Sequence, residues 1–373
     1  MHDRLLKLAF VGDVCLSFFR RAPCDISGFT GWPAIRDEIG EHDFLVGNLE
    51  CCLVNEHCSD EARRQPMAVP ATAGRFLHNV GFSDLCLANN HSLDCGSDAL
   101  TVTRECLASH GMRGFGAGLN LREAEEPVFA ERNGCRVAFL GACDRSEYYA
   151  SNGRAGIAPL QKTRLGERVR AAVTKADLVV VMLHADLEFS DVPGRWRQRL
   201  SRWLIEQGAH LVIQHHPHVL QGSETYQGGV IAYSLGNFVF KLHGNRYQQH
   251  RAGVSDSLVM IVDADLRGEK PVLAHRVVPL RIGPNHLPEP ATGLPREEAL
   301  LRVQVLSSLV ADRNTHRSLW FRRCRLEAVR RIQHIYYAFR RGHIVRGTRE
   351  FLQLLTCRED HRWMLGLASL GYL

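Results

Sequence analysis

Five apolar runs in this chain each end on a residue able to bind a metal ion or move a proton, and that recurrence constrains the fold more than any other feature. LLKLAFVG (5–12) leads into Asp13, and DFLVGN (43–48) ends on Asn48 with Glu50 two residues on. DLCLAN (84–89) runs into Asn90 and His91, with Asp94 three residues further along. DLVVVML (177–183) is followed by His184, and HLVIQ (210–214) by His215, His216 and His218. Runs this short, continuous and β-branched read as strands buried on both faces. Three more, CRVAFLGA (135–142), GVIAYSL (229–235) and SLVMIVDA (257–264), complete the pattern, and helical periodicity occupies 97–110, 163–176 and 194–208. The alternation predicts an α/β chain with a central sheet covered by helices. In such sheets ligands gather beyond the carboxyl ends of the strands, where these polar residues fall.

The donor set narrows the chemistry. Asp, Glu, Asn and His without an obligatory thiolate suit Mn, Fe or Zn, and fit neither a Cys-rich zinc site nor an all-oxygen calcium cage. The chain has twelve cysteines, but none forms a CxxC pair and several lie inside apolar runs, so they read as reduced packing residues. That expectation includes Cys15 and Cys51 beside the candidate ligands. Six candidate ligands exceed what one tetrahedral centre uses, which favours two divalent metal ions sharing a carboxylate, roughly 3.5–4 Å apart. His215 is expected to be a neighbour rather than a ligand, because adjacent side chains point apart. Asn237 in SLGNF (234–238) is expected to support the site from behind. GFGAGLN (114–120) lacks the dinucleotide GxGxxG order and reads as a tight turn.

Composition excludes several classes. Apolar residues make up 45% and charged residues 23%, which rules out a disordered or collagen-like chain. No run approaches the roughly 20 apolar residues of a transmembrane segment. The charged start Met1-His2-Asp3-Arg4, with Lys7 and Asp13 breaking the first apolar run, is not a secretion signal, so a cytoplasmic location is the expectation. The net charge of +6 is concentrated, because residues 313–350 hold eleven Arg against two Glu and the body is slightly acidic. Four prolines in 283–296 read as a linker, giving a body at 1–282 and a basic helical extension at 297–373. In that extension Leu326, Val329, Ile332, Ile335, Tyr336 and Phe339 recur at helical spacing. The stripe is expected to pack on the body; an anionic membrane surface or a path for an anionic substrate are the alternatives. No nucleic-acid motif accompanies the charge, so no nucleic-acid partner is expected.

In order, GDV, NLE, LANNHSLDCG, GFGAGLNLREAEEP, HADLEF, HHPHVLQGSETY and IAYSLGNFVF resemble the CapA family, named for poly-γ-glutamate capsule synthesis and related to the calcineurin-like metallophosphoesterases. The resemblance covers about residues 7–282. It implies a four-layer α/β/β/α sandwich with a dinuclear site, followed here by the C-terminal helical extension. Carried over, Asp13 holds one metal and Glu50 bridges the two. Asn90, His184 and His216 hold the second metal, and His218 returns to the first. His91 paired with Asp94 resembles the proton donor of these phosphoesterases, a role an imidazole oriented by a carboxylate can fill near neutral pH. Two positions depart from the family: Cys15 stands where many relatives place a histidine, and His184-Ala185-Asp186 replaces the usual HWG.

Three functions are compatible with these residues. The first is a metal-dependent hydrolase acting on a phosphoester or peptide-type bond of an anionic small-molecule or peptide substrate. The second is a metal-dependent peptide epimerase of a lasso-type peptide natural-product pathway, with His91 on one face of the α-carbon and Cys15, Asp13 or His286 on the other. The third is a non-catalytic component of capsule synthesis.

Overall fold

The computed structural model describes residues 4–21, 26–242, 244–245, 248, 250–340, 344 and 348, so most of the extension beyond Arg340 lies outside the described residues. Two sheets dominate. The larger contains β1 (Leu5–Val14), β2 (Phe44–Leu49), β5 (Asp84–Cys86), β6 (Arg113–Phe115), β15 (Asn237–Val239), β16 (Asp256–Asp265), β17 (Val272–Ile282) and β18 (Pro288–Pro290). The smaller contains β8 (Val128–Arg132), β9 (Cys135–Cys143), β11 (Leu178–His184), β12 (Leu211–His215), β13 (Ser223–Tyr226) and β14 (Gly229–Ala232). Two ribbons, β3 (Cys52–Val54) with β4 (Ala68–Pro70) and β7 (Ala117–Gly118) with β10 (Gly156–Ile157), lie beside them. The helices are α1 (Trp32–Ile39), α2 (Asp60–Arg64), α3 (Gly74–Val80), α4 (Gly96–Ser109), α5 (Leu121–Glu125), α6 (Lys162–Val173), α7 (Arg195–Glu206), α8 (Gly293–Ala311) and α9 (Arg313–Arg340).

The larger sheet is ordered β18-β17-β16-β1-β2-β5-β6, with β15 beside the end of β1, and the smaller β13-β14-β12-β11-β9-β8. Strands β1, β2, β5 and β6 are mutually parallel, as are β9, β11, β12 and β14. Period-two alternation assigns the faces of the smaller sheet. Phe139, Val180, Met182, Leu211 and Ile213 join the core shared with the larger sheet. Their neighbours Leu140, Val179, Val181, Leu183 and Val212 pack with Leu165, Val169, Leu200 and Leu204 of α6 and α7. On the far side, Ile35, Phe76, Leu77, Leu100 and Leu107 of α1, α3 and α4 cover the larger sheet. The architecture is therefore the expected four-layer α/β/β/α sandwich. The two sheets come close at Gly141, where a Cβ would lie 2.9 Å from the Cys86 sulfur, so only glycine fits.

The chain departs from its sequence reading at its C-terminal side. The proline-rich stretch contributes β18, antiparallel to β17, before α8 begins. Pro288 and Pro290 donate no hydrogen bond and are tolerated because β18 is an edge strand. Strand β17 is not apparent from the pattern, since its first half is exposed or half-buried throughout, its second half is mostly buried, and it carries Pro279 inside it. Helix α8 is part of the body: Leu306 and Val310 are buried, and Gln198 donates to the Val310 carbonyl at 2.7 Å. In α9 the expected stripe does not turn inward. Ile335 is buried, but Leu326, Val329, Ile332, Tyr336 and Phe339 are exposed, and Trp320 and Cys324 make the contact with Leu187 instead. Among the described residues no helix is long and apolar enough to cross a membrane.

Candidate metal centre

Parallel pairing brings the polar strand ends together. In register, Asp13 of β1 lies opposite Asn48 of β2 on one side and Asn237 of β15 on the other. The close fit at β15 requires Gly12, whose Cβ would lie 2.1 Å from the Gly236 carbonyl oxygen. Glu50 follows β2 directly, and Asn89, Asn90, His91 and Asp94 occupy the turn after β5. From the opposing sheet, His184 ends β11 and His215 ends β12. His216 (φ +96°) and His218 (φ +57°) then flank Pro217 in the left-handed region. Non-glycine residues there cost roughly 1–3 kcal/mol each and persist only where surrounding contacts impose them. Here the His216 N–H donates to Asp13 Oδ2 at 3.3 Å, and the Phe189 N–H donates to the Pro217 carbonyl at 2.8 Å.

Glu50 stands at the focus. Its Oε1 lies 3.7 Å from His184 Nε2, 3.7 Å from His218 Nε2 and 3.8 Å from His91 Nε2. His184 Nε2 is also 2.6 Å from Asn90 Oδ1 and 3.0 Å from His216 Nδ1. His218 Nδ1 sits 3.3 Å from Asp13 Oδ2 and 2.8 Å from Asn237 Oδ1. A carboxamide chain holds this set: Asn48 Nδ2 donates to Asp13 Oδ1 at 2.8 Å, and Asn89 Nδ2 donates to Asn48 Oδ1 at 3.2 Å. Asn89 Oδ1 in turn accepts from the His91 N–H at 3.0 Å, fixing the turn.

The donor set fits divalent cations. Glu50 is fully buried, and neither of its oxygens has a hydrogen-bond partner among the described residues. A buried carboxylate without donors is strongly unfavourable, and a cation beside it would satisfy it. Two ligands about 2.1 Å from one ion sit roughly 3–3.5 Å apart, close to the separations around Glu50. Two overlapping groups, Asp13–Glu50–His184 and Glu50–His216–His218, have ligand atoms within 4.8 Å of one another. They share Glu50, but each joins residues that the resemblance divides between the two ions: Asp13 with His184, and His216 with His218.

The electrostatics agree. Burial, then the Asp13 charge, pushes the Glu50 carboxyl well above the carboxylate range. Burial would also raise Asp13, but the His218 hydrogen bond and neighbouring imidazoles hold it below its ordinary value. Burial and the surrounding imidazoles push His184 well below its usual value, and burial and Arg145 do the same to His216. Both rings therefore keep a lone pair for a cation. Burial disfavours charged His218, yet Glu50 and Asp13 hold it at about 10, so it carries the positive charge that a metal ion would otherwise supply.

The remaining expected residues fall into place around this focus. His91 Nδ1 lies 2.7 Å from Asp94 Oδ2, leaving Nε2 toward Glu50. His215 turns away and meets the Val11 carbonyl at 3.1 Å. Asn237 stands behind His218, its Oδ1 2.8 Å from the ring's Nδ1. Cys15 and Cys51 are buried, and the Cys51 hydrogen bond draws the Cys15 thiol down to about 6. A cavity of about 540 Å³ opens beside Cys15, walled by Phe18, Met67 and Phe240, with Arg20 and Lys241 along it. The Phe240 ring lies 4.8 Å from that of His218. One residue escaped the sequence reading. Arg145 Nη2 lies 3.0 Å from His216 Nε2, and its only sequence signal is its position just past the end of β9.

Comparison with known proteins agrees with the sequence resemblance. The PGA biosynthesis protein CapA of Bacillus subtilis (strain 168) is 29% identical over 243 residues, which cover 64% of this chain and 64% of that protein. The capsule biosynthesis protein CapA of Bacillus anthracis is 32% identical over 207 residues, covering 53% and 50%. A probable polyglutamine synthesis accessory protein of Mycobacterium tuberculosis is 28% identical over 197 residues, covering 49% and 50%. The chain thus spans about half to two-thirds of the length of these curated relatives. Among solved structures, a 5'-nucleotidase from Candida albicans SC5314 superposes with a TM-score of 0.44 at 11% identity, covering 84% of this chain and 58% of that one. The family model described as "Bacterial capsule synthesis protein PGA_cap" matches residues 7–242, and the chain belongs to that family.

Proposed function

We propose that this chain is a metal-dependent enzyme that binds two divalent ions, Mn, Fe or Zn, and acts on an anionic small-molecule or peptide substrate. The observation that carries the reading is Glu50, a buried carboxylate without donors at the focus of imidazoles from both sheets. Asp13 and His218 hold one ion; Asn90, His184 and His216 hold the other; Glu50 serves both. When bound, such ions polarise the substrate's oxygen and acidify water. His91 keeps its Nδ1 proton toward Asp94, which leaves Nε2 to deliver a proton to a leaving group at the centre. Arg20 and Lys241 along the adjoining cavity favour an anionic substrate. Hydrolysis of a phosphoester or peptide-type bond is the reaction these parts serve most directly.

A second reading, exchange of a peptide α-proton, draws support from His286. Its backbone is left-handed (φ +70°), its carbonyl accepts from the Phe240 N–H at 3.1 Å, and its ring lies 5.1 Å from Phe18. A second imidazole therefore packs on Phe18 of the cavity wall, and this reading takes it as the second base beside His91. A scaffold role in capsule polymer synthesis, the process named for the relatives, is the third. It predicts that ligand variants lose stability and that no turnover exists to lose.

Elemental analysis tests the proposal. About two equivalents of Mn, Fe or Zn in the wild type, lost in His216→Ala and Glu50→Ala, support it; folded protein that cannot be loaded overturns it. Phosphoester turnover against deuterium uptake by peptides in D₂O then separates the first two readings.

A further inference from the structure

We propose that Arg197 is a positioning residue of the metal centre, a buried guanidinium that sets His184 and His216 relative to each other. The inference rests on the metal-dependent reading above and concerns how the chain holds its ligands. Arg197 lies in the first turn of α7, behind the smaller sheet, and its side chain is 1% exposed. Nη1 donates to Asp186 Oδ2 at 3.2 Å, Nε donates to Gln214 Oε1, and Nη2 donates to the Tyr233 carbonyl at 2.6 Å. Asp186 comes two residues after His184, Gln214 two before His216, and Tyr233 directly after β14. One side chain thus pins the ends of three neighbouring strands, β11, β12 and β14. Gln214 is held from its other side too, because its Nε2 donates to Ser201 Oγ at 2.6 Å and that hydroxyl donates to the Arg197 carbonyl at 2.8 Å.

The grip acts on a backbone that needs one. Asp186 stands at the glycine position of the family's usual HWG and is left-handed, with φ +95°. Glycine takes that conformation freely, whereas an aspartate persists in it only under imposed contacts. Asp186 Oδ2 accepts from the Gly194 N–H at 2.6 Å as well as from Arg197, closing the loop that runs from His184 to α7. Stability alone is a poor reason for such a pair, because buried ions are costly to desolvate and apolar residues of similar volume often hold a core as well. What the pair supplies is direction. A guanidinium is planar and its donors diverge at fixed angles, so all three acceptors are met together in one arrangement of the strand ends. In that arrangement His184 Nε2 and His216 Nδ1 converge 3.0 Å apart. Two nitrogens on one ion sit roughly 3–3.5 Å from each other, so the pinned geometry is the one a shared ion needs.

The test titrates Co²⁺ into metal-free wild type, Arg197→Lys, the double variant Arg197→Met/Asp186→Asn, and Val80→Ala, reading affinity, visible spectrum and thermal melting. The double variant removes both charges together, so neither is left buried alone, and asparagine tolerates the left-handed backbone. Val80→Ala truncates the core on α3, beyond the larger sheet, and controls for lost stability alone. The double variant is expected to bind Co²⁺ roughly 10- to 100-fold more weakly than wild type, with an altered visible band, as when groups that orient ligands from behind are removed. Arg197→Lys, which keeps the charge without the planar fork, is expected to fall between. Val80→Ala is expected to keep the wild-type affinity and spectrum at a lower melting temperature. Wild-type affinity and spectrum in the double variant overturn the positioning role and leave the metal centre standing. An equal loss of affinity in Val80→Ala makes the effect one of stability and also overturns it. A wild type that takes up no Co²⁺ overturns both readings.

Discussion

Glu50 is the residue on which the proposed site turns, because it is fully buried and neither of its oxygens has a hydrogen-bond partner among the described residues. Leaving a buried polar group unsatisfied costs about 1–3 kcal/mol, and more when it is charged. Glu50→Gln removes the charge at nearly constant shape. The metal-free variant is therefore expected to be as stable as wild type or more stable by about 1–3 kcal/mol in urea unfolding, while its metal content collapses. A destabilised metal-free Glu50→Gln protein contradicts this account. His218 sets the pH dependence. Held at about 10 in the metal-free protein, it is protonated at neutral pH and must release a proton to ligate. Glu50, raised as well, acts in the same direction. Metal affinity is thus expected to rise with pH from 7 toward 10, with proton release visible as a buffer-dependent binding enthalpy. The sign for stability is opposite: a raised histidine stabilises the metal-free fold below its unfolded value of about 6.5, and that contribution is lost as pH passes through about 10.

At the scale of elements, strand ends supply the candidate ligands and α9 braces the loop behind them. Trp320 and Cys324 pack on Leu187, Arg323 forms a double hydrogen bond with Asp191, and Arg251 reaches Glu327 at 3.2 Å while lying over the Phe189 ring. Phe189 in turn is 6.0 Å from the His218 ring, so the helix backs one wall of the site. The apolar contact outweighs the ion pair. Trp320→Ala is expected to cost about 3–5 kcal/mol of local stability and to raise hydrogen exchange in α9 and residues 185–192. Arg323→Gln breaks a pair whose Arg is 40% exposed, and is expected to cost less than about 1 kcal/mol. Equal exchange in the two variants sinks this ranking. Here the sequence misled about orientation: the stripe from Leu326 to Phe339 has helical spacing, but Leu187 and Asp191 select the face carrying Trp320 and Cys324. A helical period reports that a face exists; the partner decides which face is buried.

Over the whole molecule, the centre exists because two sheets close on a shared core. Phe139 lies between them, its ring 5.7 Å from Phe44 and 5.7 Å from Phe115. Phe139→Ala is expected to cost about 3–5 kcal/mol in urea unfolding and to weaken metal binding, since it loosens the sheet that carries His184 and His216 against the one that carries Asp13 and Glu50. Unaltered metal affinity at that loss of stability shows that the ligands are held locally.

The sequence by itself determined the α/β class, the order of the principal strands and the polar residues that terminate them. Those features are local: strand periodicity and the run-ending Asp13, Glu50, His184 and His216 are written within a few positions of the chain. Only the tertiary structure decided what arises between distant segments. Parallel register set Asp13 beside Asn48 and Asn237, and sheet closure put imidazoles of the smaller sheet around Glu50 of the larger. The turn after β9 brought Arg145 onto His216, 71 residues away, with no motif to announce it. Periodicity is a property of neighbours in the chain, whereas convergence on one point depends on packing between sheets that no short window contains.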